Sequence, residues 1–421
     1  MYLSACKSSI ESCSRLSVVF IVPPSSSDRK KIITMIHFAG LTLPLLAATM
    51  MIAIQAAHGK LDEDVYETKH IAVVFRHADR APDPVELFPS DPHYESEFFP
   101  YGLGGLTNRG KMREYGLGLF LREKYDEFLG QLYRPKAVFA RSTDYPRTKM
   151  CLQLVLSGLF PPQAEQVWNK NLPWQPIPTV YEAPKRDWLM IPEECPEYLH
   201  ERNKIQCAMS KELKGYDEFL EKLTSLTGKD MTGHNLTEVY NLYHILTAET
   251  HLGLPIADWA KDYYPHGKIL EVTNKWYEMF SKTNRMRRLN GGKLLRQIID
   301  HMDAKIAGGD RAYNVSLFSG HETNVAAVLQ VLGIYYPHVP AYSSAVIIEL
   351  KRKVDTGEHY VEVIYRRGIP NDHETVPIPG CDPICPYDKF VGLLEHVTPT
   401  TQELACDKDA PFETNEVEHV C

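Results

Sequence analysis

Three short charged clusters each follow an apolar, β-branched run: Arg76-His77-Ala78-Asp79-Arg80, Arg141-Ser142-Thr143-Asp144 and His321-Glu322. Guanidinium groups bind phosphate oxygens through paired hydrogen bonds. Arg76, Arg80 and Arg141 together therefore suit a phosphomonoester dianion and the charge that builds as its phosphoryl group transfers. His77 is within reach as nucleophile. The same positive cluster lowers its affinity for a proton, which keeps a share of it neutral in acid. Glu322 can supply the proton that a departing alkoxide needs. Asp79, beside two arginines, reads as their ion-pair partner rather than as an acid.

Each cluster needs an element to hold it. The runs 71–75, 137–140 and 315–318 have strand composition, and the stretches 148–156 and 325–332 that follow two of the clusters are helix-like. Strands that alternate with helices predict an α/β fold, a three-layer core with a mainly parallel central sheet flanked by helices. Such sheets place their sites at the carboxyl ends of the strands, where all three clusters fall. Residues 345–350 and 360–365 read as strands that close the sheet. Between the second and third clusters the pattern is mostly helical, at 216–226, 236–247 and 293–306, which predicts an inserted helical cap. The expected organisation is a core of 60–160 and 307–406, a cap of 161–306 and a tail of 407–421. Arg285, Arg287 and Arg288 in the cap read as a solvated helix cluster.

The 421 residues are 44% hydrophobic and 24% charged, a globular balance, and 46 basic against 54 acidic side chains give −8, which disfavours a nucleic-acid partner. Residues 1–59 differ from the rest. Arg29, Lys30 and Lys31 precede an apolar run from Ile32 to Ala57, and Ala57-His58-Gly59 carries small residues where a signal peptidase reads. A secretory signal with a mature chain from Lys60 is expected, with an uncleaved membrane anchor as the alternative; Met35 offers a second start. No further apolar span follows, so the cleaved product should be soluble and free of the membrane. Histidine and cysteine spacings match no metal motif, and neither G-x-S-x-G nor a P-loop is present. Asn235-Leu236-Thr237 and Asn314-Val315-Ser316 are glycosylation acceptors wherever they are exposed. His373-Glu374 repeats the spelling of His321-Glu322, but Val376-Pro377-Ile378-Pro379 follows, so it reads as a loop.

At these residues the chain resembles the histidine acid phosphatases, the branch of the histidine phosphatase superfamily marked by R-H-G-x-R-x-P. Here that motif reads Arg76-His77-Ala78-Asp79-Arg80-Ala81-Pro82. The resemblance continues through Leu106-Thr107-Asn108-Arg109-Gly110, Arg141-Ser142-Thr143-Asp144, Trp174-Gln175-Pro176-Ile177-Pro178 and His321-Glu322, an ordered series over residues 69–406. It implies hydrolysis of phosphate monoesters through a phosphohistidine on His77, with no metal or other cofactor. Arg76, Arg80, Arg141 and His321 would bind the phosphoryl oxygens. It also implies Cys381–Cys385 and Cys195–Cys406 disulfides, and it brings a homodimer as a candidate assembly. Cys151 reads as a buried free thiol, and Cys207 and Cys421 stay unassigned. Two positions depart from the family: Ala78 replaces a glycine where the backbone was expected to pass the phosphate, and Glu322 replaces an aspartate. Two other readings stay open, a phosphatase for inositol polyphosphates and a secreted binding protein without catalysis.

Overall fold

The computed structural model describes residues 16–19, 35–38, 64–232, 236–309, 311–370 and 372–406. The chain forms two compact units, Met1–Val65 and Tyr66–Cys421. In the first, Leu16–Val19 pairs antiparallel with Met35–Phe38. The rest of the expected targeting segment, the acceptor Asn235 and the tail with Cys421 lie outside the described residues. Among the described residues no helix is long and apolar enough to cross a membrane.

The second unit is built on seven strands: β1 (Tyr66–Arg76), β2 (Val138–Ser142), β3 (Val315–Gly320), β4 (Ala345–Lys353), β5 (His359–Arg366), β6 (His373–Thr375) and β7 (Ile384–Pro386). Its principal helices are α1 (Asn108–Lys124), α2 (Pro146–Leu159), α3 (Pro196–Leu213), α4 (Asp217–Thr227), α5 (Thr237–Leu252), α6 (Lys268–Met279), α7 (Lys293–Ala307) and α8 (Glu322–Val331). The strand order is β2-β3-β1-β4-β5-β6, with β7 also on β5. β2, β3 and β1 are parallel, and Ser142 is level with Ser319 as Arg76 is with Gly320. The three charged clusters therefore leave the sheet along one edge. β4 and β5 join antiparallel, because the short link from Lys353 to His359 can only reverse the chain. The sheet is thus mixed, where a mainly parallel one was expected. His373-Glu374 lies in β6, an exposed edge strand rather than a loop, and Glu374 pairs with Arg367.

Alternation along β1 sorts its side chains between two helical layers. Ile71, Val73 and Phe75 pack with Leu117 and Leu121 of α1 and Leu152, Val155 and Leu156 of α2. Ala72 and Val74 pack with Leu294, Leu295 and Ile298 of α7 and Val325 and Val328 of α8. A separate apolar cluster fills the cap, from Tyr198 to Leu289, and takes in Phe88, Ala326 and Cys406 of the core. The apolar stripe of α7, from Leu294 to Met302, faces the sheet. Cys195 is bonded to Cys406 and Cys381 to Cys385, while Cys151 is free and buried.

One contact between cap and core carries a titration. Glu249 of α5, 1% exposed, lies against the buried Asp91, and burial together with a hydrogen bond to Asp91 pushes its carboxyl up to about 9. A raised acid stabilises the fold fully below its ordinary 4.5, and that contribution is lost as pH rises through about 9. Glu249→Gln should therefore gain on the wild type steadily between those values. Thermal melts at pH 5 and pH 8 check this: the variant's advantage should be larger at pH 8, and a difference independent of pH would remove the shared proton.

Candidate active site

The loop after β1 is pinned from several sides. His77 donates its backbone N–H to Gly320 (2.9 Å), and both the N–H and the hydroxyl of Thr107 reach the Asp79 carbonyl (2.9 and 3.0 Å). The first turn of α1 lies so close that a β-carbon at Gly110 would sit 2.3 Å from that carbonyl oxygen, so only glycine fits there.

His77 is 1% exposed at the centre. Its Nδ1 is 2.9 Å from the Ala78 carbonyl, which can only accept. The proton therefore sits on Nδ1, and the Nε2 lone pair is free. Burial, then the charges of Arg147, Arg76 and Arg80, hold the imidazole well below its ordinary pKa, so it is neutral in acid. The His321 ring lies 5.5 Å away, between the centroids. Burial and Arg147 lower His321 to about 3. It caps α8, whose Asn324 N–H meets the ring, and its Nε2 lies 3.1 Å from Thr143 Oγ1.

Each site arginine is braced. Arg76, 1% exposed, donates to the Pro340 carbonyl (2.6 Å), stacks on Tyr342 and places Nε 3.2 Å from Glu322 Oε2. Arg80 grips Glu86 with both terminal nitrogens. Arg147 pairs with Asp83 at 3.0 Å, and its charge bears on His77, His321 and Arg80. The Nε of Arg80 and of Arg147 is buried and bonds to no protein acceptor, which leaves a donor on each.

Glu322 opens α8 and is 4% exposed. Burial alone would raise its carboxyl, but Arg76, then His244 and His321, and last a hydrogen bond donated by Tyr240 outweigh this and hold it well below the usual carboxylate range. His244 completes this corner: its Nδ1 lies 3.3 Å from Arg76 Nη2 and its Nε2 3.8 Å from Glu322 Oε1.

The structure brings Arg76, His77, Arg80, His321 and Glu322 together and turns Arg141 to another partner. The Arg141 guanidinium is bonded at 2.6 Å to the fully buried Asp187. The third arginine around His77 is Arg147, six residues on, in the first turn of α2. The signal for it was available, since the first turn of a helix that follows a strand looks over that strand's carboxyl end. Glu86, Tyr240 and His244 gave no such signal; they arrive from a 3-10 turn and from the cap. Asp79 is an ion-pair partner, but of Arg113 (2.8 Å), Arg109 (3.4 Å) and His251 (2.6 Å) rather than of Arg76 and Arg80. Ala78 has no positive φ, and its side chain packs in the apolar layer with Phe75 and Cys151. Its methyl is thus turned away from the cluster. Asn314 is half-buried with its Oδ1 bonded to Lys305, and Ser316 is fully buried in β3, so the folded chain does not present this acceptor freely. In the cap, Arg285 faces Glu197 and Glu201 and Arg288 pairs with Glu403, so that cluster is structural.

The family model for the histidine phosphatase superfamily (branch 2) matches residues 67–366. The venom acid phosphatase Acph-1 of Apis mellifera is 43% identical over 346 residues, 81% of this chain and 88% of the relative. The prostatic acid phosphatase of Bos taurus is 33% identical over 347 residues, with 81% and 88% covered, and the lysosomal acid phosphatase of Bos taurus is 32% identical over 337 residues, with 79% and 78% covered. Among solved structures, the phytase of Hafnia alvei in complex with tartrate superposes with a TM-score of 0.61 at 19% identity, over 81% of this chain and 98% of the phytase, a likeness of fold. With its Arg76–Pro82 motif at the end of the central strand and a family match over most of its length, the chain belongs to branch 2 of the histidine phosphatase superfamily.

Proposed function

We propose that this acid phosphatase cleaves phosphate monoesters in two steps on His77. The observation that carries the reading is the neutral imidazole with Nδ1 bonded to the Ala78 carbonyl and Nε2 free among Arg76, Arg80 and Arg147. Nε2 attacks phosphorus as the bond to the leaving oxygen breaks, giving a phosphohistidine and an alcohol. The three guanidinium groups and His321 hold the phosphoryl oxygens and stabilise the charge spread over them in transfer. Water then attacks phosphorus, the N–P bond breaks, and phosphate leaves.

Glu322 serves as the acid even though it is ionised in the free protein. A phosphate dianion entering the cluster offsets the charge of Arg76 and repels the carboxylate, so Glu322 takes up a proton in the complex. It gives that proton to the leaving alkoxide, and as carboxylate it then accepts one from the attacking water. Glu322→Gln should slow an alkyl phosphate about a hundredfold and nitrophenyl phosphate far less, because nitrophenolate leaves without an acid. Steady-state rates on both substrates check this; equal losses would mean that Glu322 holds the site together instead.

We propose secretion on the same footing. The apolar run at 32–57, the cleavage cue at 57–59, two disulfides and relatives named for venom and prostate support it. Asn235 is proposed as the glycosylated residue. A homodimer is proposed as well: Val180 and its neighbour Tyr181 are exposed beside the edge strand β2, to which Val180 bonds.

A further inference from the structure

Glu322 belongs to the core, yet one of its two oxygens is held from the cap. Oε2 faces Arg76 Nε at 3.2 Å, and Oε1 receives the hydroxyl of Tyr240 on α5. The Tyr240 ring is stacked on Trp276 of α6, with centroids 3.9 Å apart and planes at 18°, so the hydroxyl has little freedom to wander. The titratable and charged groups around Glu322 come from every neighbouring element. They are Arg76 on β1, Arg147 on α2, Glu193 ahead of α3, Tyr240 and His244 on α5, Tyr277 on α6 and His321 beside it. His244 accepts from Arg76 at Nδ1, so its proton is on Nε2, 3.3 Å from the Tyr277 oxygen.

These partners differ in what they can do when Glu322 gains a proton. A guanidinium has no lone pair to offer, so a proton on Oε2, 3.2 Å from Arg76 Nε, would find no acceptor on that side. A phenol both donates and accepts, so Tyr240 can turn its hydroxyl and take a bond from a protonated Oε1. We propose that Tyr240 is a positioning residue that donates to Oε1 of the Glu322 carboxylate until phosphate binds and then makes Oε1 the oxygen carrying the catalytic proton. This rests on the reading of Glu322 as the acid. In the bond-breaking step the Oε1 proton passes to the leaving oxygen, and the Tyr240 hydroxyl swings back to donate to the carboxylate. The hydroxyl favours the ionised form, so its loss makes Glu322 a weaker acid.

Tyr240→Phe keeps the ring and its stack on Trp276. With an alkyl phosphate, the alkaline limb of the kcat–pH profile should move up by about one pH unit, the size expected for one hydrogen bond to a charged group. Competitive inhibition by inorganic phosphate should persist to correspondingly higher pH. That second measurement involves no leaving group, and the titration of phosphate itself cancels between wild type and variant. In a Glu322→Gln background, Tyr240→Phe should move neither profile. A uniform fall in kcat with both limbs in place would overturn the proposal and leave Tyr240 a packing residue. If Glu322→Gln slows alkyl and nitrophenyl phosphates equally, the acid assignment falls, whereas the inhibition profile still decides whether Tyr240 sets the ionisation of Glu322.

Discussion

His77→Ala should fold normally and lose about 10⁴-fold or more of its turnover, the scale at which a covalent nucleophile is missed. No second group can take its place. His321 lies beside it, but with Nδ1 meeting the Asn324 N–H its ring proton is on Nε2, which suits it to donate to a phosphoryl oxygen and leaves no lone pair there to attack phosphorus. His244 lies behind Arg76 and Glu322. The fold should persist because the loop around residue 77 is held by its backbone, through Gly320 and Thr107, and not by the imidazole. Rapid acid quenching is the wrong trap, since an N–P bond breaks in acid. Denaturation in base after mixing with labelled substrate should retain phosphate on wild type and none on the variant. Retained label in His77→Ala, or near-normal turnover, would mean another nucleophile.

The second large effect separates two arginines six residues apart. Arg147→Ala should lower kcat/KM about a thousandfold, because a largely covered guanidinium whose charge bears on both His77 and His321 stabilises the transferring phosphoryl group in a water-poor site. Loss of its charge also removes one of the nearby charges that keep His77 unprotonated, so the acid limb of kcat/KM should move to higher pH. Arg141→Ala should behave differently. It strands the fully buried Asp187 carboxylate without its 2.6 Å partner, so the expected damage is to stability, with activity of the folded fraction within severalfold of wild type. Melting curves and steady-state kinetics on the pair decide it. A thousandfold loss in Arg141→Ala at unchanged stability would restore Arg141 as the third clamp.

Much of the site was open to reading because its residues are local in sequence. The Arg76–Pro82 segment follows an apolar run that can only be a buried strand, and a strand's carboxyl end is where a charged cluster has room to act. The same logic located Glu322 and His321 at the start of α8. It failed at Arg141, where reading the charge nearest the strand end passed over Arg147: the two are six positions apart, and only the path of the Asp144–Pro146 turn determines which of them meets Asp187. The reading of Ala78 failed for a related reason. The turn of the loop after β1 decides whether the methyl faces the phosphate or the apolar layer, and no composition records it.

The sequence by itself pointed to the layers, the ends of the three parallel strands and the Arg76–Pro82 segment, because each follows from short-range periodicity or from a motif written contiguously. Only the tertiary structure decided the ionisation state of Glu322, the tautomer of His77 and the company of each arginine. Those depend on desolvation and on charges brought from far along the chain: Tyr240 and His244 reach Glu322 across about eighty residues of sequence, and a Coulomb or hydrogen-bond interaction acts through distance in space, which the order of residues does not encode.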